Sequence, residues 1–266
     1  MSLVRNIFCS SLGKKYIMAL TGLALLGFAG GHLVGNLQIF SHPDKINGYA
    51  SFLQGLGPML WVVRLSLLGI VALHVWAAIQ LTLENSQARP VQYGVKRFIE
   101  ASWASRTMRW SGFVIFAFIV YHILHFTVGL AGAETFKTQL EHYTMTQDFH
   151  LFGLTIVGKG AVVHDVHSMM VLGFQKPLVS LFYIVAVTLL GIHLWHGFES
   201  AFQSLGLRTS TWGCFLRAVT RLFAVVYILG SIAIPASVLA GVVKVGGCSS
   251  CCPTAAAVHA PASHSN

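Results

Sequence analysis

One apolar stretch constrains the fold of this chain more than any other feature. Residues 108–132 form a run long enough to cross a bilayer as one helix, and two histidines, His122 and His125, lie one turn apart inside it. About 20 apolar residues span the hydrocarbon core. An imidazole at that depth is costly unless a partner binds it. The stretch therefore predicts a membrane helix whose histidines bind a ligand or contact another helix.

Four further apolar runs lie along the chain, and three of them contain histidines: His32, His74, and the pair His193 and His196. Of all residues 55% are hydrophobic and only 9% are charged, whereas soluble domains carry about 25% charge. We therefore predict an all-α integral membrane protein with five transmembrane helices in a cofactor-binding bundle, spanning residues 1–244. The predicted spans are residues 16–40, 60–83, 108–132, 178–198 and 218–243.

The chain is basic, with a formal net charge of +9 from 17 basic and 8 acidic residues. The basic residues flank the apolar runs, so membrane topology and contact with anionic lipid explain them, and no nucleic-acid binding is expected. The larger share lies before the first span and in the second and fourth connections. The positive-inside rule then predicts a cytoplasmic N-terminus and, after five spans, a C-terminus outside.

The connections differ in character. Residues 41–59 read as a short loop because they contain Pro43, Gly57 and other breakers. Residues 133–177 form a long connection, of a kind that is often functional, and residues 161–174 are apolar enough to lie along the outer interface as a helix. Residues 245–266 are predicted to be a disordered tail. The cysteines of this tail, for which a disulfide or a metal-binding role stays open, are Cys248, Cys251 and Cys252.

The histidines fall at two depths when residues are counted along the predicted spans. His32 and His122 lie toward the outer face, and His74 and His196 lie toward the cytoplasmic face, at a rise of about 1.5 Å per residue. Facing helices of a bundle can build a cofactor site from such side chains. Each pair could give one haem iron two axial imidazoles, which suits electron transfer because no open position remains. Two stacked haems would carry electrons across the membrane.

The choice of ligand histidine remains open in two of the spans. His125 and His193 each lie three residues from a proposed ligand, on nearly the same helix face. Depth slightly favours His196 over His193, and it does not decide between His122 and His125. A single membrane histidine more often makes a hydrogen bond between helices than it binds a cofactor. The argument for haem therefore rests on the matched pairs.

Short motifs around these histidines resemble a known family. They are SLGKK at 11–15, GHLVGNL at 31–37, LHVWAAIQL at 73–81, SG at 111–112 before YH at 121–122, and LWHGFESAFQ at 194–203. Their order and spacing resemble the dihaem cytochrome b membrane-anchor subunit of bacterial succinate dehydrogenases and fumarate reductases, over residues 10–240. The resemblance implies two haem b groups.

The resemblance also implies which histidines bind iron. Its ligands match His32 and His122 for one haem, and His74 and His196 for the other. It thereby leaves His125 and His193 outside the ligand set. Some members carry a glutamate, linked to proton movement, two residues before the fourth-span ligand. Here that residue is Leu194, so a proton route of that kind is not expected.

A function follows from the same resemblance. Such a subunit performs no dicarboxylate chemistry; it passes electrons between an iron–sulfur subunit and a membrane quinone, and the quinone reacts on this subunit. A flavoprotein and the iron–sulfur protein would dock on the cytoplasmic face of the bacterial inner membrane, where the basic stretches 84–109 and 203–217 are candidate surfaces. Menaquinone is the favoured quinone. The sequence does not define the direction, succinate oxidation or fumarate reduction.

Polar residues near the span ends supply candidate contacts for the small molecules. A quinone near the outer haem needs a hydrogen-bond donor and a proton acceptor. The candidates for these roles are Asn36, Gln38, His42, His164, Asp165 and His167. Haem propionates need cationic partners. The candidates for that role are Arg64, Arg106 and Arg109.

Three other functions compete with this one. A cytochrome b subunit of another quinone-linked oxidoreductase would have other partners and another ligand spacing. A metal transporter lined by histidines would need acidic residues within its spans, and only Glu199, at a span border, is present. A membrane anchor without haem would use the histidines for packing. The visible colour of the purified protein separates the last two from the haem proteins.

Overall fold

The computed structural model of the chain describes residues 3–88, 103–132 and 142–245. Five of its helices are long and apolar enough to cross a membrane, which confirms the predicted all-α, multi-pass membrane architecture. The helices are α1 (Leu3–Cys9), α2 (Ser11–Asn36), α3 (Pro43–Gly55), α4 (Pro58–Gln87), α5 (Trp103–Ile123), α6 (Val166–Phe174), α7 (Pro177–Ser204) and α8 (Gly213–Leu239). A 3₁₀ turn (Leu37–Phe40) extends α2, and a π-helical turn (Leu124–Val128) extends α5.

All five membrane helices begin before the predicted apolar windows; the second and fourth also end later, whereas the fifth ends at Leu239, before the predicted residue 243. The first starts at Ser11, the fourth runs to Ser204, and the last starts at Gly213. Polar residues at helix ends continue the backbone hydrogen bonding beyond the hydrocarbon, and hydropathy does not register them. The third span instead ends early, at Val128, because Gly129 adopts a left-handed conformation (φ 81°) that stops the helix.

The predicted loop at 41–59 is wrong, because most of it forms helix α3. Pro43 lies in the first turn of this helix, where proline is favoured because its missing N–H breaks no hydrogen bond. The His42 side chain caps this helix by accepting the Asp44 N–H at 3.4 Å. A proline that predicts a break in secondary structure therefore marks the start of helix α3.

The long connection 133–177 also differs from the prediction. In its described part, residues 142–177, four short strands pair as two antiparallel units, and the interfacial helix predicted at 161–174 begins only at Val166. The strands are β1 (Tyr143–Thr144), β2 (Phe149–Leu151), β3 (Leu154–Val157) and β4 (Val162–Val163); β1 pairs with β4, and β2 with β3. Strands of two to four residues are too short for a two-residue hydrophobic period to be recognised.

The bundle is built around α7, which packs against α2, α5, α6 and α8. Its core includes Tyr183, Ala186 and Val187 of α7, with Val171 of α6 and Tyr227 of α8. Helix α4 packs along α2 and has only two buried residues of its own. Many large apolar side chains, such as those of α4, point outward, as expected for a lipid-facing surface.

One end of the bundle carries additional structure. Residues Phe40, Pro58, Val128 and Pro177 lie at this end, and helix α3, the strands and helix α6 pack there against one another. We call it the capped end, and the opposite end, where α2 and α8 begin, the uncapped end. The predicted tail from residue 246 onward and the basic residues 89–102 lie outside the described residues.

Candidate functional site

A cavity of about 2680 Å³ lies between the membrane helices. Sites for a single small molecule usually measure about 300–1,000 Å³, so this space exceeds what one such ligand needs. Six histidines line it: His164 at the capped end and five in the membrane helices, which are His32, His74, His122, His193 and His196. The sequence placed all five in the membrane interior, and the fold brings them to one space.

Near the capped end, His32 and His122 face each other. Their ring centroids lie 5.8 Å apart and their planes are nearly perpendicular, at 88°. Phe28 stacks on His32 at 5.4 Å, and Phe118 lies against His122 at 5.7 Å. Two imidazoles sharing one metal ion are separated by two metal–nitrogen bonds of about 2 Å, as for zinc, plus the ring radii. The observed separation is comparable, so the first predicted pair fits a shared ion.

Deeper in the bundle, the contact of His74 is with His193. The two ring centroids lie 6.5 Å apart, at an interplanar angle of 66°. His196, the partner that the sequence favoured, also lines the cavity but lies one helical turn closer to the uncapped end. Three residues of helix correspond to about 4.5 Å. Counted from the helix starts at Pro58 and Pro177, His74 and His193 lie the same number of residues along α4 and α7, and therefore at the same level.

Hydroxyl groups orient both rings of this deeper pair. Thr21 Oγ1 lies 3.1 Å from His74 Nδ1, and its own hydrogen goes to the Ile17 carbonyl at 2.6 Å. Ser111 Oγ lies 3.2 Å from His193 Nδ1 and donates to the Met108 carbonyl at 3.1 Å. Since each hydroxyl hydrogen is engaged, each hydroxyl oxygen accepts the Nδ1–H of its histidine. Both Nε2 atoms then carry a lone pair, which is the form that binds metal.

The neighbouring histidine of the third span has a different setting. His125 is buried outside the cavity lining, and its Nδ1 lies 3.0 Å from the Tyr183 hydroxyl. The same hydroxyl lies 3.4 Å from His122 Nδ1. A side chain added at Gly173 would approach His125 to 3.3 Å, so helix α6 packs directly on this ring. These contacts favour His122 over His125 as the residue that faces a ligand.

Close helix approach also depends on a glycine of α2. A Cβ atom at Gly22 would lie 3.2 Å from the Cε1 atom of His74, which is tighter than ordinary van der Waals contact. Glycine therefore lets the His74 ring lie against α2, within reach of Thr21. Sequence reasoning missed Thr21 and Tyr183, because their partners lie more than 50 residues away. Ser111 was part of a quoted motif, although its role was not.

The charged candidates divide between the two ends of the cavity. Arg64 lines it near the capped end and lies over the Trp61 ring at 5.2 Å, and Arg109 lines it near the uncapped end. Lys15, which was not among the predicted propionate partners, also lines it near the uncapped end. Arg106 does not border the cavity. The structure thus brings two of the three predicted arginines to the space.

Three of the six predicted quinone residues also line the cavity: Asn36, His164 and Asp165. The other three, Gln38, His42 and His167, do not border it. His42 and His167 belong instead to a polar cluster of the capped end. All six residues lie at the capped end, where the quinone site was predicted, but only three of them border the cavity.

Helix α3 anchors the strands of the capped end through one carboxylate. Asp44 accepts hydrogen bonds from the Thr146 amide at 3.0 Å and the Thr146 hydroxyl at 2.5 Å, and His42 Nδ1 lies 2.9 Å away. Burial acts to raise the pKa of Asp44, but the bonds from Thr146 and Tyr143 and the charge of His42 outweigh it and hold the pKa low. Burial and the bond to Asp44 raise the pKa of Tyr143 to about 12.

Comparisons with known proteins add no family to this description. No protein-family model matches the chain, and neither a curated protein nor a solved structure matches it.

Proposed function

We propose that this chain is the membrane-anchor cytochrome b subunit of a succinate dehydrogenase or fumarate reductase, passing electrons between an iron–sulfur subunit and a membrane quinone through two haem b groups. The observation that carries the proposal is the presence of two facing histidine pairs at two depths of one cavity. His32 with His122 forms one pair, and His74 with His193 forms the other.

The donor set fits haem. The chain offers two imidazoles to each iron, and in the deeper pair both Nδ1–H groups are already bonded to hydroxyls of neighbouring helices. Ligand histidines characteristically donate this second N–H to an acceptor that fixes the ring. With two imidazoles bound, a haem iron exchanges single electrons and keeps no open position for oxygen. The protein's own task is to hold these rings and to surround them with apolar side chains.

The identity of the fourth ligand is where our proposal departs from the sequence-based prediction. His196 was favoured by depth and by the resemblance, whereas the ring contact and the Ser111 bond support His193. His196 lies in the same cavity and is half-buried. We therefore propose His193 as the ligand and His196 as a neighbour of the haem edge.

The ends of the bundle support the remaining roles. Arg109 and Lys15 near the uncapped end, and Arg64 near the capped end, line the cavity and could pair with propionates. The uncapped end would face the cytoplasm and receive the flavoprotein and iron–sulfur partners at residues 203–217, by the positive-inside rule. The quinone, with menaquinone favoured, would bind at the capped end, beside Asn36, His164 and Asp165.

Single histidine substitutions test the proposal. In the purified complex, replacing His32, His74, His122 or His193 by Met should each remove or alter one of two b-type absorption bands. His196→Met and His125→Met serve as matched controls from the same helices, and both should keep two haems. Loss of a haem in His196→Met but not in His193→Met would restore the sequence-based pairing. Two intact bands in all six variants would contradict the ligand assignment, and a wild-type complex without b-type bands would contradict the cytochrome function.

A further inference from the structure

The capped end contains a buried polar cluster that the histidine pairs do not use. Asn47 lies at its centre and is fully buried. Its Nδ2 donates to Asp165 Oδ1 at 3.2 Å, and its Oδ1 accepts the His167 N–H at 2.9 Å. Asp165 also accepts the Ser168 N–H at 3.0 Å, capping helix α6. Asn47 therefore holds Asp165 and His167 in fixed positions relative to helix α3.

One atom of this cluster has no hydrogen-bond partner among the residues that the structure describes. His167 is 4% exposed, and its Nδ1 makes no hydrogen bond. The ring does bond the Ile39 carbonyl, which can only accept, so the other nitrogen, Nε2, carries the hydrogen. Nδ1 is then a buried lone pair. Burial lowers the pKa of His167, which keeps the imidazole neutral and this lone pair available. Such an unpaired buried acceptor is rare and calls for a donor.

The cluster has one member at the cavity and one exposed to solvent. Asp165 lines the cavity directly, beside His164, at the start of α6. On the other side, His42 has a side chain that is 49% exposed and lies 2.9 Å from Asp44. Both Asp165 and His42 are close enough to act electrostatically on His167.

Other charged groups around α6 are directed elsewhere. Asp44, at the start of α3, bonds Thr146 and His42. Lys176, between α6 and α7, acts on His125. His167 therefore lies between an acidic residue of the cavity wall and a solvent-exposed imidazole.

We infer that Asp165, His167 and His42 exchange protons between a quinol bound at the capped end of the cavity and the surrounding water. This inference rests on the proposed function and adds the residues that carry its protons. When a quinol is oxidised, its two hydroxyl protons leave through Asp165 and His167 to water at His42. Its two electrons pass to the partner subunits, where fumarate is reduced to succinate. In the reverse direction the same residues supply two protons to a quinone.

The test measures fumarate reduction by a short-chain menaquinol in the full complex, over a range of pH. His167→Gln removes the titrating ring while keeping a donor for Ile39. His42→Gln removes the exposed member and leaves the buried cluster intact. His150→Gln, an exposed histidine of strand β2, is the matched control. A positioned proton acceptor contributes roughly 10²–10⁴-fold to a rate, so a relay step should contribute at least about tenfold.

We expect His167→Gln to lower kcat by about tenfold or more at acidic pH, with KM unchanged. The deficit should shrink as the pH rises, because hydroxide can then take the proton. His42→Gln should show the same pH-dependent pattern, and His150→Gln should match wild type. Haem content should be equal in all four proteins.

Two results would overturn the inference while leaving the proposed function intact. One is wild-type rates in both His167→Gln and His42→Gln; the other is a loss in His167→Gln that is the same at every pH, which marks a merely structural role. The proposed function fails separately, if the wild-type complex holds no haem. The pH profile and the haem spectrum therefore distinguish the two failures.

Discussion

Removal of the Ser111 hydroxyl should weaken one haem site and leave the other unchanged. In Ser111→Ala, the His193 Nδ1–H loses its acceptor, which lies 3.2 Å away and is itself buried. Leaving a buried donor unpaired costs about 1–3 kcal/mol. Loss of a group that orients a metal ligand typically lowers metal affinity about 10–100-fold, or about 1.4–2.8 kcal/mol. The two estimates agree, and both apply only to the proposed haem site of His74 and His193.

The assay is competition for haem. Purified Ser111→Ala complex is mixed with an excess of a haem-scavenging protein, and the loss of each b-type band is followed. Thr188→Ala is the matched control, because this α7 hydroxyl bonds the Ile184 carbonyl of its own helix, at 2.7 Å. Ser111→Thr should restore wild-type retention. Equal loss from both haems, or no change from wild type, would refute the proposed role of Ser111 and weaken the assignment of His193.

Three further predictions concern packing and charge. Gly191→Ala should lower the stability of the protein by about 1–3 kcal/mol in a thermal melt, because its Cβ would lie 2.2 Å from an isoleucine of α8. Gly69→Ala is the control: its Cβ would meet nothing within 4 Å, so it should not destabilise the protein. Equal effects of the two variants would contradict this packing. Glu84→Gln should lower Tm more than Lys14→Met, because it leaves the buried Lys14 ammonium without its partner, and the reverse order would contradict the ion pair. Asp44→Asn should destabilise the protein at neutral pH and less in acid. A carboxyl whose folded pKa is lowered stabilises the fold above its unfolded pKa and loses that contribution as the pH falls through the folded value. The same loss of stability at every pH in chemical unfolding would contradict this prediction.

The membrane architecture could be predicted from the sequence because hydropathy is a strong and local signal. All five spans and the interior position of every membrane histidine follow from it. The capped end could not be predicted in the same way. Helix α3 begins at a proline that reads as a breaker, and the strands are two to four residues long. Their stability depends on distant contacts such as that between Asp44 and Thr146, which no local pattern contains.

The histidine site was likewise predictable from the sequence only in part. The pairing of His32 with His122 was predicted by depth, and the structure places these two rings in contact. For the deeper pair, depth slightly favoured His196, but a level estimated to within one turn could not exclude His193. His74 and His193 lie equally far from the starts of α4 and α7, at Pro58 and Pro177. The hydroxyls of Thr21 and Ser111, which argue for His193, become visible only after the helices are packed.

A haem count on the purified complex tests the central claim most directly. A pyridine haemochrome measurement, combined with a dithionite-reduced minus oxidised spectrum, gives the number of b-type haems per chain. We predict two, one for each facing histidine pair. A well-folded complex that contains no haem would contradict the electron-transfer function and leave a membrane anchor whose histidines serve helix packing.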